Sequence, residues 1–298
     1  MNNPTENEID DLFDRYQKGQ YDEAEKLAKS IIQKYPNHAF SWKVLGAVYK
    51  NTGKLQDSLV ANRKAGELVP TDAAAHNNYG ITLQELLMLD EAEKCYRRAI
   101  DLSPEFSEAH NNLGVTLQER GNLADAEQSY KNTISINADF IQAHYNLGIT
   151  LQELGRFEEA TESYKKAIAI HPNHPDAHYN LGNTYKEFNR LEEAELSYRK
   201  ALELNPNFAN AFNNLGIVLQ EFGKLEEAEA CYRKAISMNS EFSEAHSNLG
   251  NILKELLRLD EAEISHQKAI ENNPVNAEAY LNLGATLKEQ GRLNDAEK

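Results

Sequence analysis

Residues 107–140 read SEAHNNLGVTLQERGNLADAEQSYKNTISINADF, and residues 141–174 read IQAHYNLGITLQELGRFEEATESYKKAIAIHPNH. The second stretch repeats the first, with Ala-His at places 3 and 4, Leu-Gly at 7 and 8, Gly at 15, Ala at 20 and Tyr at 24. The glycine at place 8 recurs every 34 residues, as Gly46, Gly80, Gly114, Gly148, Gly182, Gly216, Gly250 and Gly284. A single globular core imposes no such period. It marks one supersecondary unit copied along the chain, each copy packing on its neighbours.

Within a copy the apolar residues fall at helical spacing twice, with a break near place 15. Glycine there (Gly53, Gly121, Gly155, Gly223, Gly291) can take the left-handed conformation that ends a helix. Proline at place 32 (Pro36, Pro70, Pro104, Pro172, Pro206, Pro274) closes the second helix. Helices of about 13 residues are marginal alone in water, so stacking must supply stability. The frame predicts a divergent first repeat or cap over 1–38, seven complete repeats over 39–276 and a cut ninth over 277–298. Leu87 and Leu257 replace the place-15 glycine, which predicts altered turns there, whereas Asn189 is tolerable.

The chain of 298 residues carries a net charge of −16, which argues against a nucleic-acid partner. No stretch approaches the ~18 apolar residues of a membrane span, and the N-terminus lacks a signal pattern. Cys95 and Cys231 stand four repeats apart, too far for a disulfide. A soluble cytoplasmic protein is expected.

The combination of an aromatic or His at 4, Leu at 7, Gly at 8, Ala at 20, Tyr at 24, Ala at 27 and Pro at 32 resembles the tetratricopeptide repeat (TPR). The resemblance covers nearly the whole chain. It implies an all-α, right-handed superhelical solenoid of tandem antiparallel helix pairs. It also implies that the arc holding places 2, 5, 6, 9, 12 and 13 of the first helix lines a concave groove.

Place 6 on that arc is Asn78, Asn112, Asn146, Asn180, Asn214, Asn248 and Asn282. Asparagine is a mediocre helix former, but a carboxamide offers both donor and acceptor. Such a ladder can pin the backbone of an extended peptide whatever its sequence. Similar ladders occur in the superhelical repeats of O-GlcNAc transferase. The competing reading is that these side chains bond to a neighbouring helix. Tyr145 and Tyr179 at place 5 are candidate binding anchors, and Asn183 at place 9 joins the same arc. The glutamates at place 13, from Glu85 to Glu289, favour a ligand that is not acidic, unless they form a solvated face with pairs between repeats.

His76, His110, His144, His178 and His246 at place 4 invite a metal reading. Zinc ligands must lie ~2 Å from one ion, whereas neighbouring repeats stand roughly 10 Å apart, so these are packing groups and no metal is expected. A clamp for a terminal carboxylate matches at Lys43 and Asn78 but fails at Ala47, Glu108 and Asn112. No nucleotide-binding or zinc-protease motif is present, and no cofactor is expected.

The sequence thus predicts a non-catalytic scaffold that binds an extended protein segment. The alternative is the substrate-adaptor arm of a larger O-GlcNAc transferase-like enzyme. That alternative draws on the stop at Lys298, inside a second helix, which leaves Leu283 and Leu287 without a partner and suggests a fragment. Self-association through the uncapped end is a third reading.

Overall fold

The computed structural model describes residues 3–296 and divides into two compact bodies, Met1–Leu154 and Gly155–Lys298. The first body holds α1 (Glu6–Gln17), α2 (Tyr21–Lys34), α3 (Ala39–Asn51), α4 (Leu55–Leu68), α5 (Ala73–Glu85), α6 (Leu89–Leu102), α7 (Ser107–Glu119), α8 (Leu123–Ile136) and α9 (Ile141–Glu153). The second holds α10 (Phe157–Ile170), α11 (Pro175–Glu187), α12 (Leu191–Leu204), α13 (Ala209–Glu221), α14 (Leu225–Met238), α15 (Ser243–Glu255), α16 (Leu259–Asn272), α17 (Ala277–Glu289) and α18 (Leu293–Ala296). Among the described residues every regular element is a helix. Within each body consecutive helices pack together, and the first helices of successive repeats also touch, as α3 does α5 and α13 does α15. Each body is therefore an all-α solenoid of helix pairs.

The place-8 glycine makes room for the place-24 ring. A Cβ on Gly80, Gly114, Gly182 or Gly216 would lie only 2.6–2.7 Å from Cε1 of Tyr96, Tyr130, Tyr198 or Tyr232. All four tyrosines are completely buried. The divergent first repeat reverses this division of volume. Leu12 stands on α1 where the glycine is expected, Ala28 stands on α2 where the tyrosine is, and both are sealed in one core. Thr5 caps α1, accepting from the Glu8 amide while the Glu8 carboxylate accepts from the Thr5 amide.

The altered turns expected at Leu87 and Leu257 do not occur. Both residues adopt the left-handed conformation (φ 59° and 60°), as does Asn189 (φ 55°), beside glycines at 70–78°. The hydrogen bonds explain why the turn persists. The Leu87 amide donates to the Gln84 carbonyl (2.8 Å) and the Met88 amide to the Leu83 carbonyl (2.9 Å), which closes a Schellman motif. Two carbonyls satisfied by one conformation outweigh a left-handed strain of roughly 1–2 kcal/mol.

Charges stitch the second helices together. Glu229 lies between Arg233, one turn along α14, and Arg258 of the next repeat, each 2.8 Å away. The same arrangement joins Glu25 to Lys29 and Lys54 and Glu195 to Arg199 and Lys224. Each of these carboxylates thus links its own helix to the following repeat. Thr161 occupies the equivalent place on α10, and its buried hydroxyl has no partner.

Candidate functional site

The residues of places 6, 9, 12 and 13 meet on one surface in the first body. Ile81, Gln84 and Glu85 of α5 and Asn112, Val115 and Glu119 of α7 line a single depression, together with Lys50 and Leu87. The place-13 glutamates are exposed, whereas places 6 and 9 are half-buried. The Asn112 carboxamide and the Ile81 and Val115 side chains are therefore partly open to solvent on the same surface.

Place 5 departs from the expected arc. Asn77, Asn111, Asn213 and Ser247 are buried, Asn213 to 1% exposure. Consecutive first helices pack side by side, and place 5 falls in that seam. Asn112 Nδ2 donates across it to Asn77 Oδ1, and Asn248 Nδ2 to Asn213 Oδ1, both at 3.1 Å. Bonding to a neighbouring helix, the competing sequence reading, is thus realised for part of the ladder.

The seven asparagines are not equivalent. Asn214 has both N–H groups and one oxygen lone pair committed: its Nδ2 donates to the Tyr179 hydroxyl (3.2 Å) and Asn183 Oδ1 (2.9 Å), and its Oδ1 accepts from Asn213 Nδ2 (3.3 Å). Asn112 and Asn248 each commit one N–H of the carboxamide and keep the other N–H and Oδ1 available. The side chains of Asn78 and Asn146 make no hydrogen bond among the described residues; their backbone carbonyls accept, that of Asn78 from the Thr82 and Asn62 side chains and that of Asn146 from the Thr150 side chain. Asn180 is engaged. Asn282 has a buried Nδ2 without a partner.

Tyr179 also differs from an exposed anchor. Its ring packs on Phe208 (centroids 4.7 Å apart) and Tyr198 (5.9 Å), and its hydroxyl accepts from Asn214. Tyr145 is half-buried and likewise engaged. Asn183 serves the fold, its Oδ1 accepting from the Tyr198 hydroxyl at 2.8 Å.

That last bond exposes a rule the sequence reading missed. A buried tyrosine hydroxyl needs an acceptor. Tyr96, Tyr130 and Tyr232 donate to place-12 Gln84, Gln118 and Gln220, at 3.0, 3.0 and 3.2 Å. These glutamines pass a hydrogen bond on to Glu119, Glu153 and Glu255 of the next repeat (3.2, 3.3 and 2.8 Å). Where place 12 is Lys186, the acceptor moves to Asn183. The joint change of Gln to Lys at 12 and Ile to Asn at 9, seen also in Lys254 with Asn251, was the available signal. In that second repeat the tyrosine is His266, fully buried with both ring nitrogens unpartnered. Burial, with Lys254 nearby, pushes its pKa down to about 4.

The histidine column has a structural task. Nε2 of His76, His110, His144, His178 and His246 donates to the carbonyl six residues earlier, at 2.9–3.1 Å. The Trp42 indole does the same to Pro36. Place 4 thus takes a flat ring, whose far-end N–H ties down the preceding turn in six repeats and is dispensed with at Phe212 and Tyr280. Among the described residues no cluster of His, Cys, Asp or Glu could hold a metal ion, and no helix is long and apolar enough to cross a membrane. Lys43 is held by Asp72 at 2.8 Å. Burial pushes the thiols of Cys95 and Cys231 up to about 11, so neither is a thiolate at neutral pH.

Models described as tetratricopeptide repeat match residues 14–38, 73–106, 95–128, 139–207, 197–230, 243–276 and 267–298. Among solved structures, YrrB, titled a TPR protein with an unusual peptide-binding site, is 22% identical with a TM-score of 0.55, over 63% of this chain and 96% of that one. MamA is 26% identical with a TM-score of 0.52, over 55% of this chain and 96% of its own. The APC/C hetero-tetramer Cut9–Hcn1 is 15% identical with a TM-score of 0.65, covering 90% of this chain and 52% of that one. No curated protein sequence matches significantly. The likeness is to tetratricopeptide proteins in general, and none of these named neighbours is an O-GlcNAc transferase.

Proposed function

Because the chain belongs to the tetratricopeptide repeat family, we propose that it is a non-catalytic interaction scaffold holding an extended peptide on its first-helix face. The observation that carries this reading is the unused hydrogen-bonding capacity of half-buried asparagines on the first helices, one of which, Asn112, lines the α5–α7 depression. Asn112 offers an acceptor, and Asn78 and Asn146 offer both donor and acceptor, to the amides and carbonyls of a passing backbone. Asn248 repeats the Asn112 geometry in the second body. Asn214, with both N–H groups committed to the preceding repeat, ties repeats together instead. The exposed glutamates of place 13 disfavour an acidic ligand.

The test uses the full chain and dodecapeptides selected on it from a random phage-displayed library. Replacing Asn78, Asn112 and Asn146 together by Ala should weaken those peptides by tenfold or more, about 1.4 kcal/mol. Unchanged affinity in a folded triple variant refutes the ladder's role.

A further inference from the structure

Leu87 is the least comfortable side chain in the first body. It is 80% exposed, it holds a left-handed backbone at φ 59°, and glycine serves the same turn at Gly53 and Gly121. Nothing inside the fold uses its side chain. It stands instead with Ile81 and Val115 in the lining of the depression. An exposed, strained residue that supplies no packing is explained when a ligand covers it.

The charge around this floor has one sign that is not neutralised within the chain. Lys50 lies 3.6 Å from Glu85 and pairs with it. Glu119 and Glu153 receive only the neutral amides of Gln84 and Gln118, and among the described residues neither has a cationic partner. Their carboxylates retain acceptor sites beside an aliphatic patch.

Resting on the scaffold reading above, the geometry points to a specificity subsite formed by Ile81, Val115 and Leu87 with Glu119. It takes an aliphatic side chain of an extended segment, flanked by a lysine or arginine that pairs with Glu119. The asparagines read backbone and carry no sequence preference; this subsite supplies it. Charge complementarity selects a basic-aliphatic segment over an acidic one.

The same phage-selected dodecapeptides, synthesised and titrated against the full chain, test the assignment. The enriched sequences should share a Leu, Ile or Val next to or one residue from a Lys or Arg. Leu87→Gly should weaken them about tenfold, as the loss of one well-covered aliphatic contact does, while the melting temperature stays the same or rises. That pairing separates a binding role from a structural one, since a packing residue would lose stability. Glu119→Gln should weaken the same peptides and flatten the salt dependence of binding. Peptides without the basic-aliphatic pair, or Leu87→Gly binding within twofold of wild type, overturn the subsite. If the triple asparagine variant loses binding while Leu87→Gly and Glu119→Gln do not, the face binds peptides and only the subsite is wrong. Failure of all three variants to change binding, or a library with no enriched peptide, overturns both.

Discussion

Replacing Gly216 by Ala tests the packing rule that sets the repeat. In an open helix interior, Gly→Ala stabilises by about 0.8–1 kcal/mol. Here the new methyl would lie 2.6 Å from Cε1 and 2.9 Å from Cδ1 and Cζ of Tyr232. That is well inside van der Waals contact. The ring cannot retreat, since it is completely buried and its hydroxyl is tied to Gln220 at 3.2 Å. Overpacking of this kind costs typically 1–3 kcal/mol, and three simultaneous contacts against an immobile ring place it near the upper end. Subtracting the propensity gain leaves a loss of about 2 kcal/mol, or roughly thirty-fold in the local opening constant. Amide hydrogen exchange along α13 and α14 reads this directly, which suits a stacked repeat whose unfolding need not be two-state. The control is Gly66→Ala, where the nearest outside atom to a new Cβ is 4.0 Å away; it should be neutral or stabilising. Combining Gly216→Leu with Tyr232→Ala reproduces the arrangement of Leu12 with Ala28 and should lose less than either change alone. Equal effects of Gly216→Ala and Gly66→Ala would refute the reasoning.

Three further outcomes follow from particular residues. His266 is neutral in the fold down to about pH 4, while the unfolded chain takes up that proton near 6.5. The unfolded state therefore binds more protons between those values, and stability falls by about 1.4 kcal/mol per unit as pH drops through the window. His266→Tyr, whose hydroxyl would find Asn251 as Tyr198 finds Asn183, should remove that part of the acid sensitivity; denaturation at pH 7 and pH 5 measures it. Leu257→Gly should stabilise the turn after α15 by about 1 kcal/mol by relieving a left-handed leucine, and an unchanged or lowered urea midpoint would count against strain there. Lys186→Gln should leave Asn183 free to change, so that Lys186→Gln with Asn183→Ile loses less stability than Asn183→Ile alone.

The fold was legible because its signals are local and copied. Gly, Ala and Pro at fixed places mark the helices' close approach, turns and ends, and the observed helices begin at Ala39, Ala73, Ser107 and Ile141, as the frame requires. What escaped the sequence depends on contacts between copies. A helical wheel treats one helix in isolation, so it placed Asn77, Asn111 and Asn213 on an open arc when neighbouring first helices bury them. It also missed the acceptor that each buried Tyr hydroxyl requires, since Gln84 and Asn183 are exchangeable only in three dimensions. The turns at Leu87 and Leu257 were misjudged because conformational strain was weighed without the carbonyls that the left-handed residue satisfies.

Side-chain NMR of the full chain titrated with a selected dodecapeptide locates the ligand on the surface. The predicted result is perturbation of the Ile81 and Val115 methyls and the Asn78, Asn112 and Asn146 carboxamides, with the exposed second-helix residues Val60, Leu196 and Ile264 unmoved. Shifts confined to that second-helix surface, with the asparagine signals unchanged, would contradict it.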